Sequence, residues 1–382
     1  MPEEQEITRT IKKKINNTAD FFKKSGYMSS SRPSVGWFCT YTPEELIIAG
    51  GFTPVRIFGR NKISRSESYF PINFCPYVKA SWEGFLGDSR DFEGLIFTNS
   101  CDGMRRFFDI ARRYLNDVPS HLLDIPHLKN KESLDFFAGN IKDTKIFIEK
   151  LRGKKITGSE IENAAAVVNN KRQLLKELQG FIRKFPHILN ISTYYKIMEL
   201  ALVSDPESFL DDIRKYLDFL KKVTDENSSH LKTDLKKYPP IMIIGSFIAE
   251  TKLWEILTEM DVRLAFDDLC TSGRYFENPI KLDKSKNLIE SIASGYLNKP
   301  QCMRMADLGF KFSEIKNNII NNDIKGVMFM GLKFCDTMLY PFSTLKKELS
   351  DMGIPVLYLE IEYNNFSEGQ IKTRMQAFLE ML

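Results

Sequence analysis

The stretch Pro240-Ile241-Met242-Ile243-Ile244-Gly245 decides the fold class, because an apolar run of this length is typical of a strand buried on both faces of a sheet. A helical segment at residues 252–260 follows it, and then a second apolar run, Val262-Arg263-Leu264-Ala265-Phe266. Strands that alternate with helices in this way are typical of a parallel sheet covered by helices. The C-terminal part of the chain is therefore predicted to be an α/β domain.

The same alternation continues on both sides of this stretch. Towards the C-terminus it predicts strands at residues 326–330 and 355–359, with helices at about residues 313–321 and at the end of the chain. In the N-terminal part it predicts a first helix at residues 8–24, strands at residues 35–39, 53–58, 94–98 and 121–125, and helices that begin near residues 42, 75 and 101. Residues 131–235 have a helical pattern, clearest in the helix that starts at Asp205-Pro206.

These elements predict an α/β fold with two Rossmann-like or flavodoxin-like parallel-sheet domains. Residues 1–150 would form the N-terminal domain, residues 236–382 the C-terminal domain, and residues 151–235 a helical connecting region. We interpret the connecting region as a brace between the two halves. A dimer interface and a docking face for a partner protein are the alternatives that its sequence leaves open.

Charge and composition exclude several classes of protein. Lys and Arg number 54 and Asp and Glu 50, and this balance does not favour nucleic acid or an anionic membrane as a partner. The first residues, Met1-Pro2-Glu3-Glu4-Gln5-Glu6, are acidic and do not resemble a signal peptide. We therefore expect a cytoplasmic protein, whose cysteines lie in a reducing compartment and serve in metal or redox chemistry more often than in disulfides.

The chain has six cysteines, three in each predicted α/β domain: Cys39, Cys75, Cys101, Cys270, Cys302 and Cys335. Neighbours within a half are separated by roughly one βα-unit. At or just beyond the carboxyl end of a predicted strand, where open α/β sheets bind ligands, lie Cys39, Cys101, Cys270 and Cys335. A helix is predicted to begin at Cys75, Cys101 and Cys335, and its amides and dipole would favour a thiolate and an anionic ligand.

Each cysteine alone is more often a small core residue than a ligand, but their shared placement favours metal binding in a cleft between the two halves. The four histidines, His121, His127, His187 and His230, show no spacing typical of ligands, and no Cys-x-x-Cys motif occurs. Cysteine ligands from separate loops fit an iron–sulfur cluster best. Three cysteines per cubane would leave one iron free to bind a substrate or a second cluster.

At these residues the chain resembles the family of 2-hydroxyacyl-CoA dehydratase and benzoyl-CoA reductase subunits. In the N-terminal half the matching stretches are Gly36-Trp37-Phe38-Cys39-Thr40-Tyr41-Thr42-Pro43-Glu44-Glu45-Leu46, Phe74-Cys75-Pro76-Tyr77-Val78-Lys79 and Thr98-Asn99-Ser100-Cys101-Asp102. In the C-terminal half they are Phe266-Asp267-Asp268-Leu269-Cys270-Thr271-Ser272-Gly273-Arg274-Tyr275-Phe276 and Leu332-Lys333-Phe334-Cys335-Asp336. The resemblance spans nearly the whole chain.

Within that family the chain looks most similar to the double-cubane cluster proteins, because it has a full second set of cysteines, including Cys270 and Cys302. The resemblance implies two cubanes bridged by a sulfide (8Fe–9S) on all six cysteines, where a dehydratase subunit typically holds one 4Fe–4S cubane on three. It also implies a homodimer and a separate ATP-hydrolysing iron–sulfur activator protein. The chain itself has neither a phosphate-binding Gly-x-x-x-x-Gly-Lys-Ser/Thr loop nor a Gly-x-Gly-x-x-Gly turn.

Several other polar residues are candidates for catalysis. Glu44 could supply a proton, although Thr42, Pro43 and Glu45 suggest instead a helix start with a capping box in which the two glutamates serve as N-terminal charges. Asp268 and Arg274, with their neighbours Asp267 and Tyr275, could orient a substrate, donate protons or hydrogen-bond cluster sulfurs, or they could cap the turn. Arg56, on a strand, is interpreted as a salt-bridge residue.

Three hypotheses for the function follow. The leading one is an activator-dependent reductase of a small, hard-to-reduce molecule at a double-cubane cluster. The first alternative is a single-cubane subunit of a 2-hydroxyacyl-CoA dehydratase, which eliminates water from a CoA thioester through a radical and does not need Cys270 or Cys302. The second alternative is a non-catalytic electron carrier or cluster module.

Overall fold

The structure is a computed structural model that describes residues 2–26, 31–87, 92–228, 231, 234–283, 287–363 and 367–382, so that His230 lies outside the described residues. The strands are β1 (Ser34–Trp37), β2 (Thr53–Arg56), β3 (Phe92–Thr98), β4 (Ser120–Leu123), β5 (Pro240–Gly245), β6 (Arg263–Asp268), β7 (Gly326–Leu332) and β8 (Val356–Ile361). The α-helices are α1 (Pro2–Asn16), α2 (Glu44–Ala49), α3 (Pro76–Phe85), α4 (Asp102–Tyr114), α5 (Lys131–Arg152), α6 (Gly158–Lys184), α7 (Ile191–Val203), α8 (Pro206–Glu226), α9 (Thr251–Thr258), α10 (Gly273–Phe276), α11 (Leu288–Leu297), α12 (Leu308–Asn321), α13 (Asp336–Asp351) and α14 (Glu368–Leu379). Short 3-10 helices lie at Thr18–Asp20, Arg65–Ser68 and Leu235–Lys237.

The strands form two parallel sheets of four strands each, with the orders β2-β1-β3-β4 and β6-β5-β7-β8. When the strands are numbered within each half, both sheets have the strand order 2-1-3-4. Trp37 of β1 lies opposite Arg56 of β2 and Ile96 of β3, and the C-terminal sheet is parallel at every pair in the same way. The predicted α/β class with two parallel-sheet units is therefore confirmed.

Burial explains why these segments are strands. Every residue of β1, β5 and β7 is buried, because helices cover both faces of the sheet at these central strands. The edge strands β4 and β8 are only partly buried. The apolar runs at residues 240–245 and 326–330 predicted two of these buried strands, and β7 extends the second run by two residues to Leu332.

The helices between the two sheets touch both of them. Helix α6 packs against α2 on the N-terminal side and against β6 and α10 on the C-terminal side, while α7 packs against β2 and α9. Helix α8 buries its predicted apolar stripe, which comprises Phe209, Leu210, Ile213, Tyr216, Leu217 and Leu220. These contacts are those expected of a brace, and the division of the chain at residues 151 and 235 stays a prediction.

The start of the chain differs from the predicted helix at residues 8–24. Helix α1 begins at Pro2 and ends at Asn16. The side chain of Asn16 donates to the carbonyl of Ile188 at 2.8 Å and accepts from the backbone N–H of Asn190 at 3.0 Å. These two hydrogen bonds to the loop before α7 fix the end of α1. None of the described helices is both long and apolar enough to cross a membrane.

Gly273, which opens α10 just after Cys270, provides a test of the packing. A Cβ atom at this position would lie 2.1 Å from the backbone oxygen of Asp267. We expect Gly273→Ala to lower the free energy of unfolding by roughly 1–3 kcal/mol, because backbone must move to admit the methyl group. Urea denaturation measures the change.

Gly180→Ala is the matched control. Gly180 is exposed on α6, and a Cβ atom there meets nothing within 4 Å, so this substitution should be neutral or stabilising by up to about 1 kcal/mol. Equal stabilities of the two variants would contradict the packing described around Gly273.

Candidate functional site

All six cysteines line one cavity between the carboxyl ends of the two sheets. The cavity has a volume of ≈ 100 Å³. All six thiols are free. Among the described residues, no group of three or more His, Cys, Asp or Glu side chains is spaced to hold a single metal ion. The thiols thus surround the cavity and do not converge on one point.

The N-terminal half supplies three of these thiols from the ends of its strands and the starts of its helices. Cys39 follows β1 by two residues. Cys75 is the N-cap residue of α3, and Cys101 is the N-cap residue of α4. The Cys101 sulfur accepts a hydrogen bond from the backbone N–H of Met104 at 3.4 Å. The predicted positions of these cysteines at the ligand-binding edge are confirmed.

The C-terminal half supplies the other three thiols in a similar but not identical way. Cys335 is the N-cap residue of α13, the helix that follows the third strand of its half, just as Cys101 precedes the helix after β3. Cys302 lies in the loop before α12. Cys270 follows β6, the second strand of its half, whereas Cys39 follows the first strand of the other half. The cysteines of the two halves therefore occupy equivalent positions at some places, such as Cys101 and Cys335, and different positions at others.

Burial dominates the acidity of the thiols. It raises the pKa of Cys75, Cys302 and Cys335 above the usual range and raises the pKa of Cys101 to about 12. The amides at the helix starts lower the pKa of Cys75, Cys101 and Cys335, as predicted, but by less than burial raises it. At Cys75, Cys101 and Cys335 the expected thiolates are therefore not favoured, and a bound cation would favour their deprotonation.

Among the described residues, the charged side chains that line the cavity are two arginines, Arg56 and Arg304, and no carboxylate lines it. Arg304 donates to three main-chain carbonyls, those of Ser100, Ile125 and Pro126. It thereby ties the loop after Cys302 to the N-terminal half. The cavity thus combines thiols with positive charge, and this suits an anionic ligand.

Arg274 contacts the cavity through a cysteine. Its NH2 atom lies 3.1 Å from the sulfur of Cys270, and its NH1 atom lies 2.9 Å from the Asp268 carboxylate. Of the three predicted catalytic candidates, Arg274 is therefore the one that touches a cysteine of the cavity. Asp268 pairs with Arg274 and, at 2.9 Å, with Lys311, and it does not line the cavity. Burial acts to raise the pKa of Asp268, but these two cations lower it below its usual value.

Asp267 has a structural role: it caps the turn after β6, which was the alternative to a catalytic role for Asp267 and Asp268. Its carboxylate accepts hydrogen bonds from the Ser272 hydroxyl, from the backbone N–H of Gly273 at 2.7 Å and from the Tyr194 hydroxyl at 3.1 Å. Burial raises the pKa of Asp267 to about 6. The carboxylate thus holds the turn that carries Cys270.

The predicted capping box at the start of α2 is wrong. The N-cap residue is Pro43, and the Thr42 hydroxyl is buried without a hydrogen-bond partner among the described residues. Glu44 and Glu45 are both buried, although the sequence pattern favoured them as helix-terminal charges. Their partners lie in other parts of the fold and compete with the local cap.

Glu44 and Glu45 pair with two consecutive cations of α6. The Lys171 ammonium lies 3.1 Å from the Glu44 carboxylate, and the Arg172 guanidinium lies 3.0 Å from Glu45. From the C-terminal half, the Tyr275 hydroxyl donates to Glu44 at 2.7 Å and the Tyr296 hydroxyl donates to Glu45 at 2.8 Å. This group of six side chains is called the buried charge cluster below; Glu44 does not line the cavity.

The prediction that Arg56 is a salt-bridge residue is also wrong within the described part of the chain, where no carboxylate pairs with it. Its guanidinium lies over the rings of Trp37 and Phe247 instead, at 4.6 and 5.0 Å. The aromatic faces supply the attraction that an acidic partner would otherwise supply.

Sequence reasoning missed Lys171, Arg172, Arg304 and Lys299, a buried lysine whose ammonium donates to the Thr40 carbonyl at 2.5 Å. A signal was present for Lys171: it continues the helical spacing of Ile161, Ala164 and Val168, so a charge falls on the apolar face of α6. No comparable pattern marks Arg304 or Lys299, because both lie in an irregular segment.

The arrangement of cysteines can now be compared with known proteins. The family described as 2-hydroxyglutaryl-CoA dehydratase, D-component, matches residues 39–382, from the first cysteine to the end of the chain. The chain belongs to this family. The resemblance drawn from the cysteine motifs is therefore confirmed, and so is membership of a family of dehydratase and reductase subunits.

Several relatives of this chain align with it over most of the length of both chains. The β subunit of (R)-phenyllactyl-CoA dehydratase from Clostridium sporogenes is 24% identical over 358 residues, which is 92% of each chain. The β subunit of lactoyl-CoA dehydratase from Anaerotignum propionicum is 22% identical over 92% of each chain. A benzoyl-CoA reductase subunit from Thauera aromatica is 23% identical over 91% of this chain and 89% of its own. The D-component family thus includes subunits of both dehydratases and a reductase, and an enzymatic role is supported.

The buried charge cluster predicts a large cost for breaking one of its pairs. Lys171→Met leaves the Glu44 carboxylate buried with the Tyr275 hydroxyl as its remaining polar partner among the described side chains, and we expect a loss of about 3–5 kcal/mol in the free energy of unfolding. The double variant Lys171→Met/Glu44→Gln removes the uncompensated charge and should recover a large part of this loss. Urea denaturation of both variants measures the difference.

Lys347→Met is the matched control. Lys347 pairs with Asp351 at 2.8 Å on the exposed surface of α13, and removal of such a pair changes stability by about 0–1 kcal/mol. If Lys171→Met cost no more than this control, the cluster would not hold the two halves together.

Proposed function

We propose that the protein is an iron–sulfur reductase that uses a double-cubane (8Fe–9S) cluster to reduce a small, hard-to-reduce molecule. The observation that carries this proposal is that all six cysteines, three from each half, line the same cavity. A site for one cubane on three cysteines gives no reason for the second three to face the same space.

The residues of the cavity fit such a group. Cysteine thiolates are the usual ligands of iron–sulfur clusters, and here Cys39, Cys75, Cys101, Cys270, Cys302 and Cys335 would hold it. Thiolates and sulfides carry negative charge, and the charged side chains that line the cavity in the described part of the chain are arginines. When bound, the cluster would supply low-potential electrons to the cavity.

The protein's own groups would keep the site dry and fix its ligands. Phe38, Val78, Met104, Leu332 and Met338 give the cavity a mostly apolar wall, which excludes water and strengthens electrostatic interactions inside it. Arg274 would hold the sulfur of Cys270 in place, since Asp268 and the Gly245 carbonyl fix its guanidinium. Arg274 is therefore proposed as a positioning residue, and proton donation by Glu44 or Asp268 stays a prediction.

Electrons would come from a separate protein. We propose an ATP-hydrolysing iron–sulfur activator as the partner, a homodimer as the assembly and the cytoplasm as the location. The relatives support an assembly with other chains, because their names describe each of them as one subunit of an enzyme. No nucleic acid or membrane is proposed as a partner.

The second candidate function is that of a dehydratase subunit that acts on a 2-hydroxyacyl-CoA thioester. The names of the phenyllactyl-CoA and lactoyl-CoA dehydratase subunits favour it. In this case one cubane on three cysteines would suffice and a different second subunit would be required. The two candidates therefore differ in iron content and in the need for the C-terminal cysteines.

Metal analysis of protein purified without oxygen separates these candidates. The double cubane predicts about eight irons and about nine acid-labile sulfides per chain. About four irons would favour the dehydratase subunit, and the next step would then be a search for a second chain. Protein without iron after anaerobic purification and reconstitution would show that the cysteines are core residues.

Single substitutions test the need for the C-terminal set. We expect Cys302→Ser and Cys270→Ser each to lower the iron content to roughly half or less, because both side chains line the cavity and serine is a poor iron ligand. Met338→Leu, a volume-conserving change in the same wall, should keep the iron content of the wild type. Iron that stays unchanged in both serine variants would argue for three-cysteine ligation.

A further inference from the structure

Arg56 occupies an unusual place in the wall of the cavity. It is the last residue of β2, its side chain is 2% exposed, and it lines the cavity together with the cysteines. Trp37 and Phe247 flank its guanidinium, so the flat group is held in a fixed orientation between a ring from each half of the chain. A charged side chain in this position is both rigid and within reach of whatever the cavity contains.

Two of its donors have no partner. The Nε and NH1 atoms of Arg56 are buried and make no hydrogen bond within the described residues. Arg304, in the same cavity, uses its Nε, NH1 and NH2 atoms to bond main-chain carbonyls, and Arg274 is neutralised by Asp268. Arg56 therefore has two nitrogen atoms without a hydrogen-bond partner among the described residues, whereas Arg274 has one, its Nε, and Arg304 has none.

A second polar group without a partner among the described residues lines the same cavity. The Ser246 hydroxyl is buried without a hydrogen-bond partner in the described part of the chain and also lines the cavity. Ser246 directly follows β5 and precedes Phe247, whose ring lies against Arg56. The N-terminal half thus supplies a cation, and the C-terminal half supplies a hydroxyl, to the same cavity.

Such groups are costly to bury. Buried donors without an acceptor destabilise a fold, and buried polar groups in proteins are in most cases satisfied. Among the described residues, no acceptor is within hydrogen-bonding reach of the Nε and NH1 atoms of Arg56 or of the Ser246 hydroxyl. An acceptor that enters the cavity can satisfy them.

We propose that Arg56 and Ser246 form a subsite for a small anionic substrate, such as a compact carboxylate or oxyanion. The guanidinium donates to the anion, and the hydroxyl adds a further hydrogen bond. This inference rests on the proposed function, since it places the subsite in the same cavity, and it names the chemical class of the substrate. A charge-assisted hydrogen bond in a site that excludes water is strong enough to select an anion over a neutral molecule of the same shape.

Binding of formate and of formamide tests the subsite, because the two molecules have nearly the same size and differ in charge. Isothermal titration calorimetry would use the full chain, purified without oxygen with its metal retained. We expect wild type to bind formate more tightly than formamide. Arg56→Met should weaken formate binding roughly 10- to 100-fold and leave formamide binding unchanged.

Three further variants define the role of each group. Arg56→Lys should have an intermediate affinity for formate, since it keeps the charge but loses the planar donors. Ser246→Ala should weaken formate binding several-fold. Arg65→Met is the matched control, because Arg65 is exposed and pairs with Glu83 outside the cavity, and its formate affinity should equal that of wild type.

Thermal unfolding distinguishes an arginine that binds the anion from one with a purely structural role. Without formate, Arg56→Met should have a melting temperature close to that of wild type, because it removes both the two unpartnered donors and the contacts of the guanidinium with Trp37 and Phe247. Formate should raise the melting temperature of wild type and not that of Arg56→Met.

Several results would overturn the proposal. They are equal binding of formate and formamide by wild type, a lower melting temperature of Arg56→Met in the absence of formate, or a lower midpoint potential of the bound metal in Arg56→Met with unchanged formate affinity. The last result would assign Arg56 to the resident metal. Iron content separates this question from the proposed function: iron-replete wild type that does not discriminate formate refutes the subsite alone, while protein without iron refutes the reductase.

Discussion

Two buried ion pairs hold the halves of this protein against each other, and the cavity between the halves depends on them. Lys171 and Arg172 come from one turn of α6, their carboxylate partners come from α2 of the N-terminal half, and the tyrosines that complete the cluster come from the C-terminal half. A buried charge tolerates little displacement from its partner, since separation would leave it uncompensated in a medium of low dielectric constant. The cluster therefore fixes the distance between the two sheets, and with it the arrangement of three thiols from one sheet around three from the other.

The cavity itself combines an apolar wall with positively charged side chains. Its wall is mostly apolar, and burial raises the pKa of Cys75, Cys101, Cys302 and Cys335. Its charged lining residues in the described part of the chain are arginines, which favour a negatively charged occupant. In the proposed cluster site these cysteines would share their charge with bound metal, so the binding of metal and the deprotonation of the cysteines would be one coupled event.

The fold was predictable from sequence because a parallel sheet requires a pattern that local sequence records: apolar runs of strand length, separated by helices. Residues 240–245 match β5 at both ends, and four of the cysteines, Cys39, Cys101, Cys270 and Cys335, lie just after strands as expected. The buried charges were not predictable in the same way. Glu44 and Glu45 follow Thr42 and Pro43, a local pattern that is equally suited to a helix cap, and only the partners, more than a hundred residues away on α6, decide between the two roles. Arg56, on a strand, was expected to have an acidic partner, although aromatic rings take that place.

The two halves share a topology, and the site depends on where they depart from it. Cys101 and Cys335 occupy the same place in their halves, at the helix after the third strand. After the first strand, however, the N-terminal half carries Cys39 and the C-terminal half carries Ser246, while the second strand ends at Arg56 in one half and leads to Cys270 in the other. A fully repeated pattern would place the same residue type after each strand of both halves. Because the thiol and the polar donor are exchanged at two positions, each half contributes cysteines to the cavity and the cavity also contains hydrogen-bond donors that the described residues do not use.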